Sequence, residues 1–428
     1  MRQRSRWPAS EITLLDSPKE WAGLLLVALL VGLLSWGFEY HAFKKLREEP
    51  KNRLQAQVLL QYTKKDEKGE RIVLKLRTQE GVQFYTTTKE PLQDLTFRYV
   101  SLTILPQKIT FLDYLKGFYA PSYWIILRPE RDFRGPLRAW IEGQHKEALA
   151  GSLYRTLFLA DPLEKSLREG ASRLGISHLL AISGFHLGVL SGVLWGIFWF
   201  PYRFLQRRFF PYRNAFYDLG ALTLLCMFGY LLLLGGSPSF LRALAMGVWG
   251  YFLLHRGVKI LSFSSLLAVG IMLVALFPRL LFSVGFFLSM MGVFLIFLHL
   301  RHTAHLKGWV NFILLNLCLY FWMLIPVHSI FETFSPYQLF SPLLTMLFTL
   351  FYPLALFLHL VGGGGMGDDW VLFGLLGGYE SISVRATWPW MAGYGILALL
   401  AMRYLWAYVG FGALCMSFFF YAIYLFLG

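Results

Sequence analysis

Charge is what this chain has least of. Charged residues make up 15% of its 428 positions, and only 25 residues are acidic; a soluble chain of ordinary composition is about a quarter charged. Cysteine is scarce too. Cys226, Cys318 and Cys415 all fall in apolar stretches, which excludes a disulfide framework or a thiolate metal site and leaves them as packing residues. No Gly-x-x-x-x-Gly-Lys-[Ser/Thr] loop occurs, so no ATPase of that type is encoded. No His-x-His-x-Asp-His run occurs either, which excludes a metallo-β-lactamase type nuclease from this sequence. "HLRHTAH" (299–305) has histidines without a carboxylate neighbour. No catalytic residue, metal or cofactor is expected, and the chain is not read as an enzyme.

What is abundant is apolar. The hydrophobic fraction is 56%, the aromatic fraction 18% and the mean hydropathy +0.51. Several windows stay apolar for about twenty residues, enough to cross a hydrocarbon core as a helix. The composition defines a polytopic α-helical membrane protein. Predicted spans are 21–38, 178–200, 216–234, 239–254, 261–277, 280–300, 309–329, 339–360, 388–402 and 404–427.

The first span follows a basic head (Arg2, Arg4, Arg6, Lys19) with no small-x-small cleavage site after it, and reads as a signal anchor. The head places the N-terminus in the cytoplasm. Alternation then puts the basic connections 201–213, 255–259 and 299–308 inside, while 235–239 and 330–336 carry no Lys or Arg. About ten crossings of the inner membrane follow, with both termini cytoplasmic. "GGGGMGDDWVLFGLLGG" (362–378) reads as a loop or re-entrant segment, and Asp368-Asp369 within it as a solvated acidic pair.

The large polar region, 39–177, falls on the extracytoplasmic side. Its first half alternates apolar and polar residues in "RLQAQVLLQY", "RIVLKLR", "VQFYTTT" and "LTFRYVSLTILP", with turn residues between. That pattern predicts four or five strands in a small OB-like barrel. From 135 to 177 the period changes to three or four, an amphipathic helical segment suited to the membrane surface. The predicted order is a basic head and anchor (1–40), a β-rich domain (41–134), the amphipathic segment (135–177) and a membrane domain (178–428).

From His41 to Arg138 there are 19 Lys and Arg against 11 Asp and Glu, an excess of eight. Long translocated domains escape the orientation bias, so this excess is informative. With Lys64, Lys65, Arg71, Lys75, Arg77 and Arg98 beside Tyr85 and Tyr99, the domain suits a single-strand nucleic-acid platform, where phosphates meet cations and bases stack on rings. The alternative reading puts the aromatics in the barrel core and the charge against anionic lipid.

"GISHLLAISGFHLGVLSGVLW" (175–195) carries polar residues where a membrane span begins. On one helix His178 and His186, eight apart, share a side with Ser183 between them in height. Gly184, Gly188 and Gly192 form a small-xxx-small series. Helix packing explains the glycines; histidines and serines at the mouth of a span point to a lined pathway. In "GGSPSFLRALAM" (235–246), Ser239 and Arg242 lie just inside the next span. The arginine either snorkels to the interface or faces an anion. Ser289, in "GFFLSMMG", joins the candidate path.

These runs resemble the ComEC family, inner-membrane proteins of bacterial DNA uptake. Gly175, His178, Leu179, Leu180, Ala181, Ile182, Ser183, Gly184 and His186 match its first signature, and Gly236, Pro238, Ser239, Arg242, Ala243 and Met246 its second. A third is partly kept: Phe286, Leu288 and Ser289 match, but Ser283 and Phe287 stand where Asp and Gln are usual. The resemblance covers about 135 to 360 and implies a channel importing single-stranded DNA during natural transformation. His178, Ser183, Gly184, His186, Ser239, Arg242 and Ser289 would line or shape its path. It implies a cytoplasmic helicase-like ATPase, a periplasmic DNA receptor and a separate nuclease as partners, beside membrane lipid. The family's frequent C-terminal β-lactamase-like domain is not in this sequence.

Two rivals remain. A transporter of a small anionic solute or lipid precursor would use Arg242 as counter-charge but leaves the basic domain idle. An intramembrane serine protease would use Ser183 and His186, yet nothing in the sequence orients that histidine as a base.

Overall fold

The computed structural model describes residues 17–428 apart from 50, 67–68, 79–80, 89–92, 130–131 and 257–261, and the side chains of 65, 66 and 69 also lie outside the described part. Arg2, Arg4 and Arg6 of the basic head and residues 257–259 of the basic connection 255–259 are therefore outside the described residues. The chain forms two compact units: Ser17–Trp140 with Gly270–Val284, and Ile141–Val269 with Gly285–Gly428.

In the first unit α1 (Pro18–Arg47) starts from a capping box in which Ser17 and Glu20 satisfy each other's backbone N–H, with Pro18 at the first helical position. Lys44, Lys45 and Arg47 close its last turn, where the helix dipole favours cations. Leu26, Leu29, Leu33 and Leu34 are more than half exposed, as a hydrocarbon-facing helix requires. Its last turn is different: Phe43 and Leu46 are buried with Tyr114, Phe118 and the sheet residues Val58, Leu74, Leu76 and Phe84. The last turn of α1 and the β core thus share one hydrophobic cluster.

That sheet has six strands: β1 (Asn52–Asp66), β2 (Gly69–Thr78), β3 (Gln83–Thr88), β4 (Tyr99–Ile104), β5 (Phe118–Tyr119) and β6 (Ser122–Leu127). Their order is β5-β3-β2-β1-β4-β6. All pairings are antiparallel except β3 with β5. β1 reaches both neighbours because a register shift between Val58 and Leu60 bends it. The two edge strands, β5 and β6, are separated by two residues only, Ala120 and Pro121, and Thr86 of β3 donates to Ser122 of β6 at 2.7 Å. The sheet therefore curls until its edges meet. A short helix, α2 (Phe111–Lys116), caps the core through Tyr114 and Leu115.

From α3 (Gly135–Glu142) the chain is helical. It continues through α4 (Ala148–Leu159), α5 (Lys165–Arg173), α6 (Ser177–Leu180), α7 (Gly184–Phe209), α8 (Ala215–Leu233), α9 (Pro238–His255), α10 (Phe263–Leu276), α11 (Val284–Thr303), α12 (Gly308–His328), α13 (Ser341–Leu360), α14 (Asp368–Leu376), α15 (Trp388–Ala401) and α16 (Leu405–Leu427). Two short strands, β7 (Thr333–Phe334) and β8 (Ile382–Ser383), pair antiparallel. Helices α11, α12, α15 and α16 share an apolar cluster around Trp322, Phe411 and Phe418.

Among the described residues seven helices are long and apolar enough to cross a membrane: α1, α7, α8, α11, α12, the helical run ending in α13, and α16. The other three predicted spans are helices as well, but α10 and α15 are 14 residues each and α9, at 18, is less apolar. The span predicted from 178 begins at 184 instead. Ala181 is extended and Ser183 starts a new helix, so His178 belongs to α6 and His186 to α7. The eight-residue spacing does not put the two histidines on one helix face.

Candidate functional site

The mouth of α7 is built by its own sequence. Ser183 Oγ accepts from the N–H of Phe185 at 3.3 Å, and His186 Nδ1 accepts from the N–H of Ser183 at 3.3 Å. His186 thus takes the place usually held by Glu or Gln in a capping box. With Nδ1 accepting, the ring proton sits on Nε2, an assignment from hydrogen bonding. His186 is fully buried and its Nε2 has no partner among the described residues. Among the described residues no carboxylate pairs with the ring; Ser183 Oγ is 3.5 Å from Nδ1. The histidine stands edge-on to Tyr352, centroids 4.7 Å apart, and to Phe348 at 5.4 Å.

The segment before it is held from α13 and from the turn 336–340 that leads into it. Gly175 has φ +70 and lies where a Cβ would meet Gln338 at 3.2 Å, so glycine is required twice over. Its carbonyl accepts from Ser341 Oγ at 2.9 Å, and Gln338 donates to the Ser172 carbonyl at 3.1 Å. His178 is exposed and faces Thr345 across 3.4 Å. On the other side, a Cβ on Gly184 would meet Ala243 of α9 at 3.4 Å, whereas Gly188 and Gly192 have nothing within 4 Å. Only the first glycine of that series marks a close helix contact.

Ala243 follows Arg242, the most informative residue here. Arg242 is 8% exposed and forms no hydrogen bond or ion pair among the described residues. A buried guanidinium without a counter-charge costs several kcal/mol unless water or an anion meets it. Phe240, two residues earlier, is packed edge-on by Tyr230 at 5.4 Å. The Tyr230 hydroxyl donates to the Phe158 carbonyl at 2.9 Å and lies 3.4 Å from that of Tyr352. The first two signatures therefore converge through α7, α8, α9 and α13. Ser239 is half-buried at the start of α9. Ser289 is exposed on α11, which packs into the Trp322 cluster, and is not brought into this group.

The β domain gathers its candidates differently. Lys64 pairs directly with Arg71, Lys75 with Tyr85, and Arg77 with Gln57, which pairs on its other side with Tyr99. Opposed residues share a face, so Lys64, Arg71, Lys75, Arg77, Tyr85 and Tyr99 line one outer surface. The Lys75 ammonium sits 5.7 Å from the Tyr85 ring centre, and Tyr62, Tyr85 and Tyr119 are 44%, 38% and 54% exposed. Lys65 lies on β1, its side chain outside the described residues. Arg98 precedes β4 and its carbonyl accepts from Val58, outside that row. One end of the row is covered: Asp132 accepts from Gln57 at 2.8 Å and pairs with Arg134 at 2.8 Å and Arg138 at 3.0 Å. Burial and the nearby Arg134 charge lower the Arg77 pKa.

Sequence reasoning missed a cluster on α13 and α14. Asp368 is buried, not solvated: it pairs with His145 at 2.9 Å, and His145 in turn meets His359 at 3.1 Å. His145 is more than two hundred residues from the other two in sequence, and the one available signal was the glycine run beside Asp368.

Fold and site together define a multi-helix membrane protein with a β domain and a buried cation that no charge among the described residues compensates. Residues 160–427 match the Competence protein family, and the chain belongs to that family, whose role is competence and DNA uptake. A curated relative from Mycoplasma pneumoniae, described as "Uncharacterized protein MG316 homolog", is 28% identical over 164 residues, which cover 38% of this chain and 39% of that protein. The match thus spans less than half of the relative. No solved structure matches.

Proposed function

We propose that the chain is a channel that passes single-stranded DNA across the inner membrane during natural transformation, through a path shaped by His178, Ser183, Gly184, His186, Ser239 and Arg242. Arg242 carries the argument: α9 holds a buried guanidinium with no counter-charge among the described residues, and a passing phosphodiester is an anion that would meet it transiently. A permanent carboxylate partner would close the site; its absence among the described residues suits a ligand that must leave again.

The reading extends to the whole chain. About ten helices cross the membrane, with both termini cytoplasmic and the β domain outside. The meeting of the sheet's edges and the parallel pairing of β3 with β5 support an OB-like barrel, and the row of Lys, Arg and Tyr supports strand capture on its outer face. Ser289 lies apart from the path. Partners would be a cytoplasmic helicase-like ATPase, a periplasmic DNA receptor and a separate nuclease; the chain itself performs no chemistry. A transporter of small anions would also use Arg242, but leaves that row idle.

The test follows fluorescent DNA in cells whose chromosomal copy carries His186→Ala with Arg242→Ala, with protein level checked by immunoblot. DNA that stops outside the cytoplasm at normal protein level supports the path. Unchanged entry into the cytoplasm refutes it.

A further inference from the structure

The cluster missed by sequence reasoning has a fixed proton count. His359 Nδ1 lies 2.7 Å from the Ala355 carbonyl, His359 Nε2 lies 3.1 Å from His145 Nε2, and His145 Nδ1 lies 2.9 Å from an Asp368 oxygen. Each of these three contacts needs one hydrogen between its two heavy atoms. The carbonyl supplies none, and two neutral imidazoles supply two. The third must sit on a ring, making an imidazolium beside a carboxylate, or on Asp368. In either arrangement the cluster is electrically neutral. Remove that proton and one contact sets lone pair against lone pair, with a net negative charge in a site where the His145 side chain is wholly buried and that of Asp368 is 10% exposed.

The glycine run is shaped around this cluster. A Cβ on Gly364 would lie 2.7 Å from Gln144 Oε1 and 2.8 Å from the His359 ring, and one on Gly365 would lie 2.4 Å from the Gln144 carbonyl. Gly362 and Gly367 have φ of +81 and +94. Gln144 binds the turn on both sides: it accepts from the N–H of Gly364 at 2.9 Å and donates to the His359 carbonyl at 3.2 Å. The run, which neither span prediction nor family signature absorbed, is what lets residue 145 reach residues 359 and 368.

We infer that His145, His359 and Asp368 form a buried binding site for one proton, and that this proton fastens the turn 362–367 to the segment leading into α4. From α4, the Tyr154 ring lies flat on His145 at 4.7 Å and against His359 at 4.6 Å, and Phe158 meets His359 edge-on. Lys146 and Glu147, flanking His145, and Asp369, beside Asp368, are exposed. Asp368 makes no other ion pair among the described residues. The site is independent of what the membrane path carries.

The experiment uses the full chain in lipid nanodiscs at about pH 8.5, roughly two units above the ordinary histidine value. Nitrogen-15 spectra of labelled histidine are read with the infrared carboxylic-acid band. The expected result is a doubly protonated imidazole that disappears in His145→Gln, or a protonated carboxyl that disappears in Asp368→Asn. If all histidines are neutral and no carboxylic acid is present, the proton site is refuted. Hydrogen exchange across 360–368 tests the fastening. Asp368→Asn is expected to speed it about tenfold, and equal exchange in variant and wild type refutes the latch. Should that variant fail to fold, the wild type raised in pH until the proton signal is lost gives the same comparison: exchange rising beyond its intrinsic pH slope supports the latch, and no such rise refutes it.

Discussion

Ser183 and His186 close on each other across the first turn of α7: the serine's N–H donates to the histidine's Nδ1 at 3.3 Å, while its hydroxyl takes the N–H of Phe185. The pair that superficially suggests a serine–histidine dyad is a helix cap. Ser183→Ala should therefore cost about 1 kcal/mol of stability, and Ser183→Asn, also a good cap, should restore both folding and DNA uptake. Thermal unfolding and transformation frequency check this. A nucleophilic serine would be lost in both variants alike.

Arg242 separates stability from function. Replacing its buried charge with an apolar chain of similar length, Arg242→Met, should leave thermal stability unchanged or raise it, because the desolvation cost goes with the charge. DNA entry into the cytoplasm should fall at least about tenfold, a loss of ~1.4 kcal/mol of interaction. A variant that unfolds would instead mean that Arg242 holds the helices together.

The row on the outer face of the sheet predicts a salt signature. Binding of a single-stranded oligonucleotide by the full chain should weaken with salt, and Lys64→Ala and Lys75→Ala should each reduce the logarithmic slope by about 0.7. Tyr85→Ala should weaken binding with little change of slope, since stacking releases no counterion. Equal binding by all three variants would leave the row without a role in DNA capture.

Asp132 predicts an acid limit for the first unit. Burial opposes its ionisation, yet hydrogen bonds from Arg134 and the charges of Arg134 and Arg138 hold its carboxyl well below the usual carboxylate range. A depressed folded value means the stabilisation is fully present above the unfolded value, ~3.9, and is lost as pH falls through it toward the folded one. Asp132→Asn should lose about 2 kcal/mol at neutral pH, and the gap to wild type should narrow in acid. Circular dichroism of both proteins along a pH series reads this directly.

Composition made the membrane class legible, and strict alternation made the strands legible: Lys64, Arg71, Lys75 and Tyr85 share a face because each sits in phase with its neighbour strand. Periodicity misled at 178–200, where apolar residues continue through the extended break at Ala181 that local capping by Ser183 creates. The His145–Asp368 pair was not legible, because a contact between residues 223 apart depends on how helices pack. Gly170 makes the same point. A Cβ there would lie 1.8 Å from the Leu375 carbonyl, a demand of α5 against α14 that no local pattern announces. Ser289 is the opposite case: its motif is visible in the sequence, and its helix packs into the Trp322 cluster.

The central claim is that DNA passes beside Arg242. The measurement that tests it most directly places a photo-crosslinking amino acid at Ser239, one turn before Arg242, and illuminates cells while a long strand is stalled in transit. A matching substitution at Leu225, 66% exposed on α8, serves as the lipid-facing control. Capture of DNA at 239 and none at 225 is the predicted result. No capture at 239, or equal capture at both positions, would contradict the account.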